Sequence, residues 1–177
     1  MLSIIVLVAS MAAPQLISMI RESTVFEAAD QVREAAGEAR RFAVDTGIDY
    51  EFRYEIGGAT IVILPSEQEL NVDEAQNSSN STEKYMRLLV ELPEEMSLRA
   101  PEGVEEIPET LDAIRFGELT GDRLTDKAWA TPVLFRFDGT AQDFELRVSD
   151  KDGLTSNVSI RGLTGSIRVS QVFQEDS

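Results

Sequence analysis

From Leu2 to Ile20 the chain carries no charged residue, and past Arg21 its apolar residues narrow to a single stripe. The first nineteen positions of this run come close to the ~20 needed to cross a hydrocarbon core, so a membrane helix is allowed by length. A signal peptide opens with Lys or Arg, and no basic residue precedes this segment. It does not read as a secretory signal peptide.

The stretch beyond Arg21 is helical in period. Val25, Ala28, Ala29, Val32, Ala35, Ala36, Ala39, Phe42 and Ala43 recur at three-and-four spacing, which lines one helical face. Glu22, Glu27, Asp30, Arg33, Glu34, Glu38 and Asp45 occupy other faces. Gly47 sits just past the last periodic residue as a left-handed cap, and Arg40 and Arg41 stand near the end, where positive charge suits the helix dipole. The spacing predicts one continuous helix, greasy all round over 1–20 and amphipathic over 21–47. Pro14 interrupts the greasy half and frees the carbonyl of Ser10, a defect that neighbouring helices and local hydroxyls satisfy inside a membrane.

At Asp49 the period changes to that of strands. Tyr50 to Ile56 alternates, Gly57-Gly58 supplies a turn, and Ala59 to Leu64 is β-branched and apolar, which predicts a hairpin. A polar run over 66–84 reads as an exposed loop, and the sequons at Asn77 and Asn80 within it read as loop composition. Further strands are predicted at Tyr85 to Leu92, Met96 to Arg99, Ala113 to Phe116, Pro132 to Phe137, Phe144 to Ser149, Val158 to Arg161 and Ser166 to Val172. No second helix is predicted. The fold class is α+β: a long N-terminal helix, apolar then amphipathic, packed on a C-terminal antiparallel β-sheet domain spanning 48–177.

The composition removes most catalytic chemistry. The chain has neither cysteine nor histidine, so thiolate nucleophiles, Cys/His zinc sites and Ser-His-Asp triads have no residues to use. No catalytic residue, cofactor or metal ligand is assigned, and the chain is not expected to be an enzyme. The formal charge of −16 opposes binding to a nucleic-acid backbone, and residues 47–177 hold twelve Lys/Arg against twenty-six Asp/Glu. Asp150-Lys151-Asp152-Gly153 with Asn157 has part of a calcium-loop pattern but lacks the closing Glu and spacing of an EF-hand, so it reads as a hairpin turn. The pairs Glu94/Glu95 and Glu105/Glu106 read as solvated loop charges, and Trp129 as core packing or a domain-edge contact.

The uncharged segment with its internal proline, the run AADQVREAAGEARRFAVDTG, the hairpin after it, VLFRFDGTA and the terminal RGLTGSIRVS together resemble the GspH/FimT-like minor pseudopilins of type II secretion and type IV pilus systems. The resemblance implies a pilin-like fold and a structural subunit, anchored in the bacterial inner membrane by one span with its C-terminal domain in the periplasm. Other pseudopilins would be its partners through the N-terminal helix, with a secreted protein as an open further partner and no nucleic acid. The alternative is a FimT-type pilus component acting in pilus assembly or DNA uptake; a single-pass sensor is a third reading. Ala9, Ser10, Ala12 and Ala13 with Pro14 form the expected stem-packing surface, since helices in lipid associate through small residues. Val25, Val32, Ala36, Ala39 and Phe42 are the expected helix-to-sheet contacts. Family members carry a basic leader, a Gly-Phe-Thr-Leu-x-Glu type processing site and an acidic residue near the mature N-terminus, which as judged from Pro14 would lie upstream of Met1. A start placed downstream of the true one is the expectation, and removal of the segment is the alternative.

Overall fold

The computed structural model describes residues 2–66, 86–116 and 121–174, with the side chains of 2–18 and 121–122 outside that description. The predicted loop over 66–84, with Asn77 and Asn80, therefore lies outside the described residues except for Ser66.

Helix α1 runs unbroken from Leu2 to Thr46, and its 45 residues span ~68 Å at ~1.5 Å per residue. It stops where Gly47 takes φ +75 and donates its amide to the Ala43 carbonyl at 3.0 Å. A residue with Cβ resists that left-handed geometry. The last turn holds no basic residue. Arg41 is instead drawn back to Glu38 and Asp45, and Arg40 leaves the helix surface altogether.

Two antiparallel sheets receive the helix. In the first, β1 (Tyr50–Tyr54) lies between β2 (Thr60–Pro65) and β5 (Val133–Phe135), with β3 (Leu88–Glu91) beyond β2. The second has the order β4 (Met96–Arg99), β6 (Phe144–Asp150), β7 (Leu154–Arg161), β8 (Ser166–Val169), and β9 (Phe173–Gln174) pairs with the start of β7. The tip of the β1–β2 hairpin joins the sheets, because Gly57 N–H donates to Leu98 O and Leu98 N–H to Gly58 O, both at 2.8 Å.

The segment Ala113–Phe116, predicted as a strand, is a short helix, α2, and a second one, α3, follows at Gly121–Thr125. Alternation would have sent Arg115 and Phe116 to opposite faces. In the helix both are buried in one cap over the outer face of the first sheet, Arg115 donating to the Pro65 carbonyl at 2.9 Å and Phe116 meeting the Trp129 ring at 5.7 Å. Several strands also differ in extent, with β3 confined to Leu88–Glu91 and β5 to Val133–Phe135. β1 ends at Tyr54 because Glu55 pairs with Trp129 across the cap. β7 begins at Leu154, through the polar run Thr155-Ser156-Asn157. The strand predicted over Ser166–Val172 breaks after Val169, where the Ser170 hydroxyl accepts the Asn157 amide in place of a ladder carbonyl, at 2.9 Å.

Two cores result. The larger lies between α1 and both sheets, with Tyr50, Phe52, Tyr54, Ile61, Ile63, Leu98, Leu146, Val148, Val158 and Ile160 around the helix. The smaller lies beneath the cap and gathers Val62, Leu64, Leu111, Phe116, Leu124 and Trp129.

Candidate functional site

The feature that organises the molecule is the seam between α1 and the sheets. Val25, Ala28, Ala29, Val32, Ala35, Ala36, Ala39 and Ala43 are all buried there. Six of the eight are alanine, so the helix axis comes close to both sheets at little side-chain entropy cost. Phe42 is only half-buried and stands on the rim. Its ring packs on Tyr50 at 5.8 Å between centroids, with the guanidinium of Arg41 over it at 4.8 Å.

Two arginines pin the seam at its ends. Arg21 donates through Nη2 to Asp150 Oδ2 at 2.6 Å and lies 2.7 Å from Asp152 Oδ2. The other Asp150 oxygen accepts the amides of Asp152 and Leu154, each at 2.9 Å, which folds the β6–β7 turn. Burial alone would raise the Asp150 carboxyl. The Arg21 hydrogen bond and those two amides outweigh it and hold the group below the usual carboxylate range. The loop considered for calcium thus commits its most buried carboxylate to a turn and an arginine, and among the described residues no cluster of three or more Asp and Glu could hold a metal ion.

At the other end Arg40 reaches between two loops. Its Nε donates to the Gly139 carbonyl at 2.9 Å, and its side chain fills the space beside Gly165. Gly139 and Gly165 both have positive φ, at +83 and +60. The turns at Asp138-Gly139 and Leu163-Thr164-Gly165 therefore converge on one arginine of the helix.

The acidic pairs separate. Glu94 and Glu95 are exposed. Glu106, expected as a solvated charge, is a structural acceptor: Oε1 takes the Tyr54 hydroxyl and the Ala100 amide, both at 2.7 Å. Burial first, and then that carboxylate, push the Tyr54 phenol upward. Nothing local in the sequence ties residue 54 to residue 106, so this contact had no signal to find. The same holds for the charged network under the cap, where Glu51 Oε2 accepts Arg53 Nε at 2.9 Å and Arg115 Nη2 at 3.2 Å, and Arg53 Nη1 reaches Glu109 at 2.6 Å. Trp129 is fully buried at the centre of the smaller core and donates Nε1–H to the Leu124 carbonyl at 3.0 Å.

The side chains of the expected stem-packing residues Ala9, Ser10, Ala12, Ala13 and Pro14 lie outside the described residues. Among the described residues no helix is long and apolar enough to cross a membrane.

No family model matches the sequence, and no curated protein matches it. Solved structures do. A crystal structure of the minor pseudopilin EpsH from the type II secretion system of Vibrio cholerae superposes with a TM-score of 0.52 at 15% identity, covering 88% of this chain and 99% of that one. A second structure of EpsH from the type 2 secretion system of Vibrio cholerae gives a TM-score of 0.48 at 14% identity, covering 81% of this chain and 93% of that one. At such identity the likeness speaks to architecture: a long helix seated on antiparallel sheets, over nearly the whole of the first of these chains. The chain has the fold of a GspH-like minor pseudopilin.

Proposed function

We propose that this chain is a minor pseudopilin, a non-catalytic structural subunit of a type II secretion pseudopilus. Residues 1–20 hold it in the inner membrane, with residues 48–177 on the periplasmic side, until it is drawn into the filament. The observation that carries the reading is the seating of one 45-residue helix on a two-sheet domain with the fold of EpsH.

The physics of such a subunit comes from its parts. Lipid and packed helices are both apolar, so moving the stem from one to the other costs little, and association rests on close contact of small residues. Ala9, Ser10, Ala12 and Ala13 supply that contact, and Pro14, which removes one backbone hydrogen bond, supplies a soft point in the helix. The alanine seam, with Arg21 and Arg40 at its ends, makes the head move with the stem as one body.

The test is secretion in a host strain from which the gene has been deleted, restored by the full chain, together with cross-linking from a single cysteine placed in the stem. The native chain has no cysteine, so any product reports that position. Restored secretion with cross-links to other pseudopilins supports the reading. Unchanged secretion in the deletion strain, or a stem that links only to itself in the membrane, refutes it.

A further inference from the structure

Charge begins immediately after Ile20, with Arg21 and Glu22, yet large apolar side chains stay exposed around this end of the head. Met19 is 69% exposed, Phe26 48% and Phe173 38%. Met19 and Phe26 are seven residues apart and so share one helical face, where they line a shallow groove with Ser23 between them and Val172 across from them. Phe173 stands on another side of the molecule. It pairs with Thr155 at the start of β7, and residues directly opposite each other share a face. Leu154, the neighbour of Thr155, packs into the larger core, so Phe173 lies on the outer face of the sheet, turned from α1. The turn just before Leu154 is the one that Asp150 closes and Arg21 holds. Phe173 is therefore level with the first charged turn of α1.

The unbroken helix sets the height of these residues. At ~1.5 Å per residue the Cα of Phe26 lies ~9 Å beyond that of Ile20, and helical side chains lean toward the N-terminus, which brings the ring lower. A bilayer of ~40–45 Å with a hydrocarbon core of ~30 Å leaves a headgroup layer of ~5–8 Å on each side. With Ile20 at the hydrocarbon edge, Met19, Phe26 and Phe173 fall within or against that layer, where aromatic rings are favoured. A protein partner seated in the groove would meet Met19 and Phe26 and leave Phe173 bare. A bilayer surrounds the stem and meets both sides at one height. The attraction is apolar in kind, because Glu22, Glu94 and Glu95 are exposed at this end and anionic lipids would repel them.

We propose that the base of the head rests on the phospholipid headgroup layer, with Met19, Phe26 and Phe173 set into the interface. This rests on the membrane-held state proposed above and adds a lipid contact made by the head itself. Departure into a filament then means giving up these side chains' contact as well as that of the stem.

The experiment reconstitutes the full chain in phosphatidylcholine vesicles in which part of the lipid is brominated near the top of its acyl chains and so quenches a tryptophan that touches it. Trp129 is fully buried, so the parent supplies the background. Phe26→Trp and Phe173→Trp place a probe on each side of the base, at exposed positions where a larger ring does not enter the core. Phe137→Trp is the control: it is 57% exposed in the β5–β6 turn, whose Gly139 borders Val44, ~36 Å up the helix from Ile20. Both base probes should lose at least about half of their added emission and the control less than about a tenth. Salt at about 0.5 M should leave this unchanged, since an apolar contact is not screened. Vesicles that carry the chain but quench neither probe, or only one, overturn the proposal. So does quenching lost in salt, or lost on diluting the protein in lipid, which would mean copies of the chain packing on the groove. A chain that fails to float with the vesicles sinks the membrane-held state and this contact with it, whereas flotation without quenching sinks the contact alone.

Discussion

The side chain of Arg40 stands where a side chain on Gly165 would have to go: a Cβ built at Gly165 would fall 2.5 Å from Arg40 Nε. Gly165 also has φ +60, a conformation that L residues resist. One glycine therefore permits both the β7–β8 turn and the passage of the arginine that ties α1 to Gly139.

Gly165→Ala should cost about 1–3 kcal/mol, combining left-handed strain of roughly 1–2 kcal/mol with displacement of the arginine. The two parts are separable by a double-mutant cycle. In an Arg40→Ala background the same change should cost only the strain, so the two single effects should sum to more than the double. Additive effects would show that Arg40 moves aside without loss.

Arg21 and Asp150 give a pH signature. The folded Asp150 carboxyl titrates below its ordinary value of 3.8, so it contributes stability that is fully present above that value and is lost as pH falls through the depressed folded value. Asp150→Asn keeps an oxygen for the turn amides but removes the charge. The melting temperature of the variant should lie below the parent near neutral pH, and the gap should close at acid pH. A gap independent of pH would mean that the turn, and not the ion pair, carries the effect.

The seam predicts an order of severity. Val32 is 1% exposed, so Val32→Asp buries an unpaired carboxylate and should unfold the domain, a cost above about 4 kcal/mol. Phe42→Asp, on the rim beside Arg41 and Arg87, should cost less, about 1–3 kcal/mol. Denaturant curves of the two variants would show the order directly, and equal midpoints would argue against the rim position.

That contrast also shows what a sequence can convey here. The three-and-four spacing of Val25, Val32, Ala36 and Ala39 marks a helical face because one period serves all four. It cannot choose between Phe42 and Ala43, which sit side by side on the stripe; the sheets choose, by leaving room for a methyl at 43 and only a rim contact at 42. In β1 the alternation of Tyr50, Phe52 and Tyr54 with Glu51 and Arg53 points to one apolar and one wet face. Both are buried, because a cap built from residues within 109–116 and 121–130 covers the charged side, and no local pattern announces contacts 50 to 80 residues away.

Under that cap, Glu51 is 4% exposed and accepts from two arginines. Glu51→Ala leaves their charges buried without it and should cost about 3–5 kcal/mol. Glu109, with its side chain 41% exposed, can be replaced by water, and Glu109→Gln should cost under about 1 kcal/mol. Thermal melts that rank these two the other way would show that the cap, not Glu51, satisfies the arginines.

The stem decides between an anchor and an assembly surface. If residues 2–20 serve only to hold the chain in the membrane, any apolar span should replace them, and poly-Leu inserts at least as well as the native residues. If the stem is read by neighbouring helices, poly-Leu should insert and yet fail to assemble. It replaces Ala9, Ser10, Ala12 and Ala13 with larger side chains, which holds the helices apart, and it removes the soft point that a proline at 14 gives the helix. Membrane fractionation checks insertion, and secretion in the deletion strain checks assembly. Retained insertion with lost secretion assigns the small residues to helix packing. Full secretion with the poly-Leu stem would show that partners read only the head and would return this segment to a simple anchor.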